Sequence, residues 1–539
     1  MRERPNILVI MNDDMGYSDL GCYGGEVDTP NLDRLAGNGL RLTQFYNTPR
    51  CSPSRASLLT GLYPHQAGIG ILTYPTGPEG YAGDLNESCV TMAEVLRDNG
   101  YRTYLSGKWH VSSSLTEPTG SWPLQRGFDQ FYGTIIGAGS FYHPNTLTRG
   151  NENIEHEARD DPEFFYTDAI SQSAAGFIRE HAREHADKPF FQYVAYTAPH
   201  WPLHAHPEDI AKYRGRFDAG WDRLREERLE RMVSAGLIDP DWALTARDPN
   251  APAWEDAEQK AWLLRCMEVY AAQVDRMDQG IGRILEALEE TGQLENTLIV
   301  FLADNGACAE DIPDNISMEE LVNELMIARA ETRDGRPVTV GNIPELMPGP
   351  EDTYQSYGTA WANLSNTPFR LYKHWTHEGG VASPFILHWP AGIQHSGELR
   401  HTPAHMPDIM ATVVDVTGAR YPKQYRNQEI PPLEGKSLAP LFSTDAMSER
   451  PMFWEHEGNA AVRMGRWKLV REYPGPWELY DMQVDRTELN DLAQEHPEKV
   501  QEMVTHYEAW AERCGVIPRA RILEMMRALP AKAFWEEDL

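Results

Sequence analysis

The stretch of this chain best suited to chemistry is Cys51-Ser52-Pro53-Ser54-Arg55. Ser52 is a natural N-cap and Pro53 suits a first helical turn, so the pattern predicts a helix running on through Leu58-Leu59-Thr60. That places Cys51 at a helix amino end, where negative charge is favoured, with Arg55 four residues on as a fixed cation on the same side. A buried, inert thiol is the default for an unpaired cysteine. The local chemistry leans against that default without naming a reaction.

A second group of residues follows apolar, strand-like runs. Asn12-Asp13-Asp14 closes the first run, Gly107-Lys108-Trp109-His110 the next, Thr197-Ala198-Pro199-His200 a third, and Asp304-Asn305-Gly306 a fourth. Lys373, His377 and Glu378 come just before a fifth. Asp13, Asp14, Asp304 and Asn305 form an all-oxygen donor set for a hard cation, calcium or magnesium. Each dipeptide alone is equally a turn signal, but their shared position at strand ends weakens that alternative. Lys108, Lys373 and two histidines beside such a site suit an anionic substrate and proton transfer. His200, His204 and His206 have close spacing that a zinc site could use, but Pro199, Pro202 and Pro207 favour an irregular loop, which leaves His200 alone as a candidate.

The elements that must position these residues are strands predicted at 6–11, 101–106, 190–196, 297–303 and 385–389, alternating with amphipathic helices. The pattern predicts an α/β fold: a large, mostly parallel sheet flanked by helices, with ligands at the carboxyl ends of its strands. Thr29-Pro30 opens one helix, and Leu263, Met267, Tyr270, Val274, Met277, Ile281, Ile284 and Leu288 mark the core face of another. Insertions are expected near 205–260, helical and peripheral, and near 308–365, a long excursion. Residues 1–424 are read as the main domain. Residues 425–539 are read as a smaller α+β domain, with antiparallel strands at 460–464, 467–471 and 478–480 and a closing helix near 496–513.

The length of 539 residues allows a large core. A formal charge of -32, from 81 acidic and 49 basic residues, argues against nucleic acid or an acidic membrane as partner. No apolar run approaches the roughly 20 residues of a membrane span, and Met1 to Pro5 do not resemble a signal peptide, so a cytoplasmic location is expected. Six scattered cysteines without C-x-x-C spacing argue against a disulfide framework or zinc ribbon.

Cys51-x-Pro53-x-Arg55 resembles the maturation motif of the sulfatases, in the alkaline phosphatase superfamily, whose cysteine a separate enzyme oxidises to formylglycine. Gly100 to His110 resembles the second signature of that family. Asp13-Asp14, Ala198-Pro199-His200, Asp304-Asn305-Gly306, Lys373 and Glu378-Gly379-Gly380 follow in its order. The phrase Ala198 to Leu203 is most similar to bacterial cytoplasmic-type arylsulfatases, and the closing Glu478-Leu479-Tyr480-Asp481 also fits; Arg50 departs from the usual small or apolar residue.

The resemblance implies hydrolysis of sulfate monoesters of aryl type, with an alkaline-phosphatase-like fold. It implies calcium, rather than magnesium, held by Asp13, Asp14, Asp304, Asn305 and the formylglycine (3-oxoalanine) made from Cys51. One hydroxyl of the aldehyde hydrate would attack sulfur and expel the alcohol, and loss of a proton from the other would release sulfate. His110 would be the base for that second step. Arg55 and Lys108 would steady the hydrate, while His200 and Lys373 would grip sulfate and protonate the leaving oxygen. The expected partners are a small sulfate ester and, transiently, the formylglycine-generating enzyme. Two other readings stay open: a phosphonate or phosphate ester hydrolase on the same scaffold, and a non-catalytic binding protein if Cys51 is unmodified.

Overall fold

The computed structural model describes residues 4–74 and 77–527. The opening residues Met1 to Glu3, on which part of the leader reading rested, and positions 528–539 of the smaller unit lie outside the described residues.

The main sheet contains β1 (Asn6–Asn12), β2 (Leu40–Tyr46), β3 (Arg102–Gly107), β4 (Gln130–Thr134), β5 (Leu147–Arg149), β6 (Glu152–Asn153), β7 (Phe190–Ala195), β8 (Thr297–Ala303), β9 (Ala382–His388) and β10 (Glu398–Arg400). Their order across the sheet is β10-β2-β9-β8-β1-β7-β3-β4-β5-β6. The centre, β8-β1-β7-β3-β4, is parallel throughout. The predicted mostly parallel sheet is therefore present, and β8, β1, β7 and β3 are the strands whose ends carried the reactive residues.

Antiparallel β9 lies between β8 and β2. Because it runs the other way, the segment entering it, with Lys373 to Glu378, lies at the edge where the parallel strands finish. β2 runs with the parallel set, so the chain leaving it delivers Cys51 to that same edge.

Both faces of the sheet are covered, which explains the continuous apolar runs. Along β1, Ile7, Val9 and Met11 enter one core and Leu8 and Ile10 the other. The first core takes Ala56, Leu58 and Leu59 from the helix Cys51–Thr60; the second takes the helix Lys260–Glu290. All the residues predicted for that long helix's core face are buried except Leu263, which is partly so.

The strands Met452–His456, Asn459–Met464, Trp467–Arg471 and Glu478–Asp481 form a consecutive antiparallel sheet. The helix Pro497–Cys514 packs Met503, Tyr507 and Trp510 against its Val462, Leu469 and Leu479. The first of these strands has no clean alternation, because Glu455 and His456 are both buried in it.

The 205–260 segment is more deeply integrated than its charge suggested. Its helix Gly220–Ser234 buries Trp221 completely and sends Arg228 inward to pair with Asp19 at 2.9 Å and with Glu26. The 308–365 segment is largely irregular, with short pairing of Thr339–Val340 and Thr353–Tyr354 and a helix at Gly358–Ser365.

Candidate functional site

The helix carrying Cys51 starts two residues earlier than its sequence suggested, with Arg50 rather than Ser52 at the cap position. Cys51 itself is the first helical residue, and the Ser52 hydroxyl has no hydrogen-bond partner, so Ser52 is not the cap. Ser54 anchors this end instead. Its amide donates to the Arg50 carbonyl at 3.0 Å, and its hydroxyl accepts from the Thr48 amide at 3.0 Å and reaches the Asp304 carbonyl. The helix carrying Cys51 is thereby fastened directly to the end of β8.

The carboxylates converge as the strand order requires. Asp13 receives Lys108 at 2.6 Å, with Arg55 3.7 Å from its other oxygen. Asp304 receives Arg55 at 2.9 Å and the Asp14 amide at 3.2 Å. Asn305 donates to Asp14 at 2.7 Å, and Lys373 donates to the other Asp14 oxygen at 2.9 Å. Asp13, Arg55, Lys108, Asp304 and Asn305 are all completely buried. Asp14 reaches its place with φ 64°, and His110 has φ 52°. Such backbone in non-glycine residues costs on the order of 1–3 kcal/mol each and tends to occur at functional sites. Gly137 lies flat against the His110 ring; a Cβ there would stand 2.2 Å from Cε1.

These donors fit a hard divalent cation. The Asp13 Oδ1 and Asn305 Oδ1 atoms are buried without a hydrogen-bond partner, although both sit among carboxylates. Burial and the adjacent Asp13 charge push the Asp304 carboxyl up to about 8, despite Arg55 and Lys108. The raised Asp304 carboxyl and the two unpartnered oxygens mark a donor set that a bound dication would complete. Burial alone would raise Asp13 as well, but Lys108, His200 and Arg55 outweigh it and hold that carboxyl low. Asp13, Asp14 and His200 also have potential ligand atoms within 4.8 Å of one another. Imidazole is a poor ligand for calcium or magnesium, so the oxygen set fits better.

Cys51 and His110 are in direct contact, with Sγ 3.5 Å from Nδ1. Burial, reinforced by Lys108 and Arg55, holds His110 well below its ordinary pKa, so its ring is neutral and able to accept a proton. Burial also raises the Cys51 thiol; Lys108 and Lys373 offset this in part, while Asp13 and Asp304 add to it. The expected preference for negative charge at this helix end is overruled, and an unmodified Cys51 is a neutral thiol.

On the opposite side, Lys373 Nζ lies 3.4 Å from His200 Nε2, and His200 Nδ1 lies 2.6 Å from the Trp201 carbonyl. A carbonyl accepts only, so Nδ1 carries hydrogen. Burial lowers the His200 pKa, which leaves Nε2 bare to accept from Lys373. Burial would lower Lys373 too, but Asp14 and Glu310 keep it an ammonium. The structure brings every predicted site residue together: Asp13, Asp14, Cys51, Arg55, Lys108, His110, His200, Asp304, Asn305 and Lys373. Exchange of His200 for Ala leaves Lys373 without its neighbour, and kcat should fall about 10²–10³-fold. Steady-state and burst kinetics on a sulfate ester check this; unchanged rates would remove His200 from the candidate site.

Three neighbours have other roles. His204 accepts from the Phe141 amide at 3.3 Å and lies 2.7 Å from the Thr353 carbonyl, so it is a structural histidine. His377 faces Glu478 at 3.4 Å, and Glu378 enters a buried ion cluster in the smaller sheet. Glu310 was not foreseen. It pairs with Arg50 at 2.7 Å, receives Trp201 Nε1 at 3.1 Å and lies 3.9 Å from Lys373. It comes from an irregular segment, and no spacing links it to Arg50, 260 residues away.

A doubly covered α/β sheet that gathers carboxylates, cations and a helix-end cysteine at its carboxyl edge defines a hydrolase for an anionic ester. The Sulfatase family model matches residues 5–419, and the model for the C-terminal part of N-sulphoglucosamine sulphohydrolase matches 369–510. An uncharacterized sulfatase of Schizosaccharomyces pombe is 31% identical over 558 residues, covering 96% of this chain and 95% of that protein. Arylsulfatase of Klebsiella aerogenes is 33% identical over 463 residues, covering 83% and 94%. The chain belongs to the sulfatase family, whose members are generally formylglycine- and metal-dependent. The crystal structure of Ps i-CgsB with a neocarrahexaose shares the fold, with TM-score 0.66 and 24% identity over 94% of this chain and 93% of that one. Among the described residues no helix is long and apolar enough to cross a membrane.

Proposed function

We propose that the protein hydrolyses sulfate monoesters of the aryl type, with formylglycine at position 51 and a calcium ion on Asp13, Asp14, Asp304 and Asn305. The observation that carries this reading is the contact of Cys51 with a neutral His110, opposite a Lys373 that remains charged. A calcium ion, when bound, would acidify the attacking hydroxyl and draw charge from the sulfate. The formylglycine hydrate would supply two hydroxyls on one carbon, one for attack and one for release of sulfate.

The remaining work belongs to the chain's own side chains. His110 Nδ1 faces residue 51 at contact distance and would take the proton from the second hydroxyl of a hydrate there. Arg55 and Lys108 are fixed by Asp304 and Asp13, so they offer positive charge to the reacting centre without reorganising. Lys373 would grip a sulfate oxygen with its ammonium charge, and together with His200 it would help to protonate the leaving oxygen. Burial of the whole group excludes water and strengthens each of these interactions.

The test compares 4-nitrophenyl sulfate with phenylphosphonate, using protein whose aldehyde at residue 51 has been verified by mass. The sulfate should be the better substrate, and exhaustive chelation should abolish its turnover while added calcium restores it. A higher kcat/KM for the phosphonate would transfer the assignment to the phosphonate hydrolases. Turnover indifferent to chelation would remove the metal.

A further inference from the structure

We propose that His374, His456 and Glu457 form a second metal site, for zinc or a chemically similar transition-metal ion, distinct from the carboxylate site at Asp13 and Asp14.

The three residues come from two parts of the fold. His456 ends the strand Met452–His456 and pairs with Asn459, so Glu457 and Gly458 are the two loop residues of a tight hairpin. Glu457 has φ 50° and Gly458 φ 90°, the left-handed pair that such a turn requires. Hairpin tips are normally solvated. This one is buried: His456 is 1% and Glu457 5% exposed. His374 meets it from the main domain, directly after Lys373, with its amide donating to the Pro49 carbonyl at 2.7 Å. The rings of His374 and His456 have centroids 5.2 Å apart and planes at 84°.

One ligand atom from each of the three residues lies within 4.8 Å of the other two. Donors at the corners of a zinc tetrahedron are about 3.4 Å apart, from bonds of roughly 2.0–2.1 Å. His456 Nε2 and Glu457 Oε1 already stand at 3.7 Å, too long for a hydrogen bond and close to that edge. The decisive observation is His456: among the described residues neither of its ring nitrogens has a hydrogen-bond partner. Burying an imidazole with both nitrogens idle is costly unless something binds them. The Glu457 carboxylate is divided, since its other oxygen, Oε2, pairs with Arg519. An arginine there fixes the carboxylate as the outer partners of metal ligands do.

The residue types decide the metal. Two imidazoles and one carboxylate suit zinc, copper or nickel and disfavour calcium or magnesium, the reverse of the oxygen set at the ends of β1 and β8. Arg50 also lies near Glu457, but Glu310 holds it at 2.7 Å and offsets its charge. Three protein ligands leave a fourth position for water or an outside donor. His374 is half-buried and the other two are buried, so the ion enters on the His374 side. Bound there, it joins the hairpin to the segment that carries Lys373 and, through Pro49, to the residues just before Cys51.

The test uses full-length Cys51→Ala protein saturated with calcium, which keeps the added ion from the thiol beside His110 and from the carboxylate site. Zinc is titrated by calorimetry, and cobalt(II) serves as a spectroscopic probe. The expected result is one tightly bound equivalent of zinc, the intense visible absorption of four-coordinate cobalt, and a thermal transition that rises with zinc. His456→Ala should weaken zinc binding about 100-fold or more, beyond the loss expected for an outer partner. It should also abolish the cobalt band and the thermal shift. Should that variant lose its own thermal transition, His374→Ala, at the half-buried ligand, makes the same comparison.

Zinc uptake that is equal in the parent protein and in both histidine variants overturns the proposal. Cobalt absorption of the weak, six-coordinate kind does so too. A matured His456→Ala enzyme whose KM for sulfate esters rises while zinc uptake is unchanged would make the cluster a substrate contact, and the metal site would be withdrawn.

Discussion

Cys51→Ala abolishes multiple turnover, with a fall of roughly 10⁴–10⁶-fold, the scale on which losing a covalent nucleophile acts. The substitution removes one sulfur atom from a small side chain, and the helix it begins is fastened by Ser54 to Asp304 and Thr48 rather than by residue 51. The thermal transition should therefore stay within a few degrees of wild type, which separates a chemical loss from a folding one. The unmodified thiol is no substitute nucleophile: burial and two neighbouring carboxylates hold it protonated at neutral pH. Activity in a preparation should thus scale with the fraction of the Cys51 peptide that carries the aldehyde mass. Near-normal turnover by Cys51→Ala, or full activity in protein whose Cys51 is entirely alkylatable, would end the covalent scheme.

The parts of this site that were legible in the sequence lie next to strands. Asp13, Asp14, Lys108, His200, Asp304 and Asn305 each follow a long apolar run, so the rule that parallel strands finish at one edge placed them together before any distance was known. Lys373 was legible for the complementary reason, as it precedes the antiparallel strand β9. The family resemblance then assigned roles to them. Glu310 lies in an irregular segment, and its position comes from tertiary packing that has no sequence period. Arg228 shows the same limit. Its helix is rich in charge and reads as a solvated face, yet Asp19 and Glu26 draw it completely inside. Ser52 shows how a local rule is overridden: it has the right residue type for a cap, but Ser54 has the partners.

The second large effect concerns stability, and it arises where the smaller sheet meets the main one. Glu378 receives Lys468 at 2.9 Å and Arg486 at 2.8 Å, and Lys468 also reaches Glu488 at 2.8 Å; all four side chains are completely buried. Tyr46 donates to Glu378 at 3.0 Å, and Arg486 donates to the Thr43 carbonyl at 2.6 Å, so the cluster ties β2 to the smaller sheet. Glu378→Gln preserves shape but leaves Arg486 without a buried counter-charge. Removing one partner of a buried ion pair costs about 3–5 kcal/mol, whereas an exposed pair contributes at most about 1 kcal/mol. Arg34 with Glu289, both 44% exposed, provides the control.

Urea unfolding should show a large loss for Glu378→Gln and almost none for Glu289→Gln. The dependence on pH follows from the same charges. Burial would raise the Glu378 carboxyl, but Lys468, Arg486 and Arg463 bring it down to about 2, from the ordinary 4.5. The folded state therefore binds this proton less readily than the unfolded state, and the contribution of Glu378 to stability is fully present above about pH 4.5. It is lost as pH falls through 4.5 towards 2, over which the wild type should weaken more steeply than Glu378→Gln. Equal losses in Glu378→Gln and Glu289→Gln, with identical acid limbs in variant and wild type, would mean that desolvation already cancels the cluster's attraction. The two sheets would then be held by their apolar contacts alone.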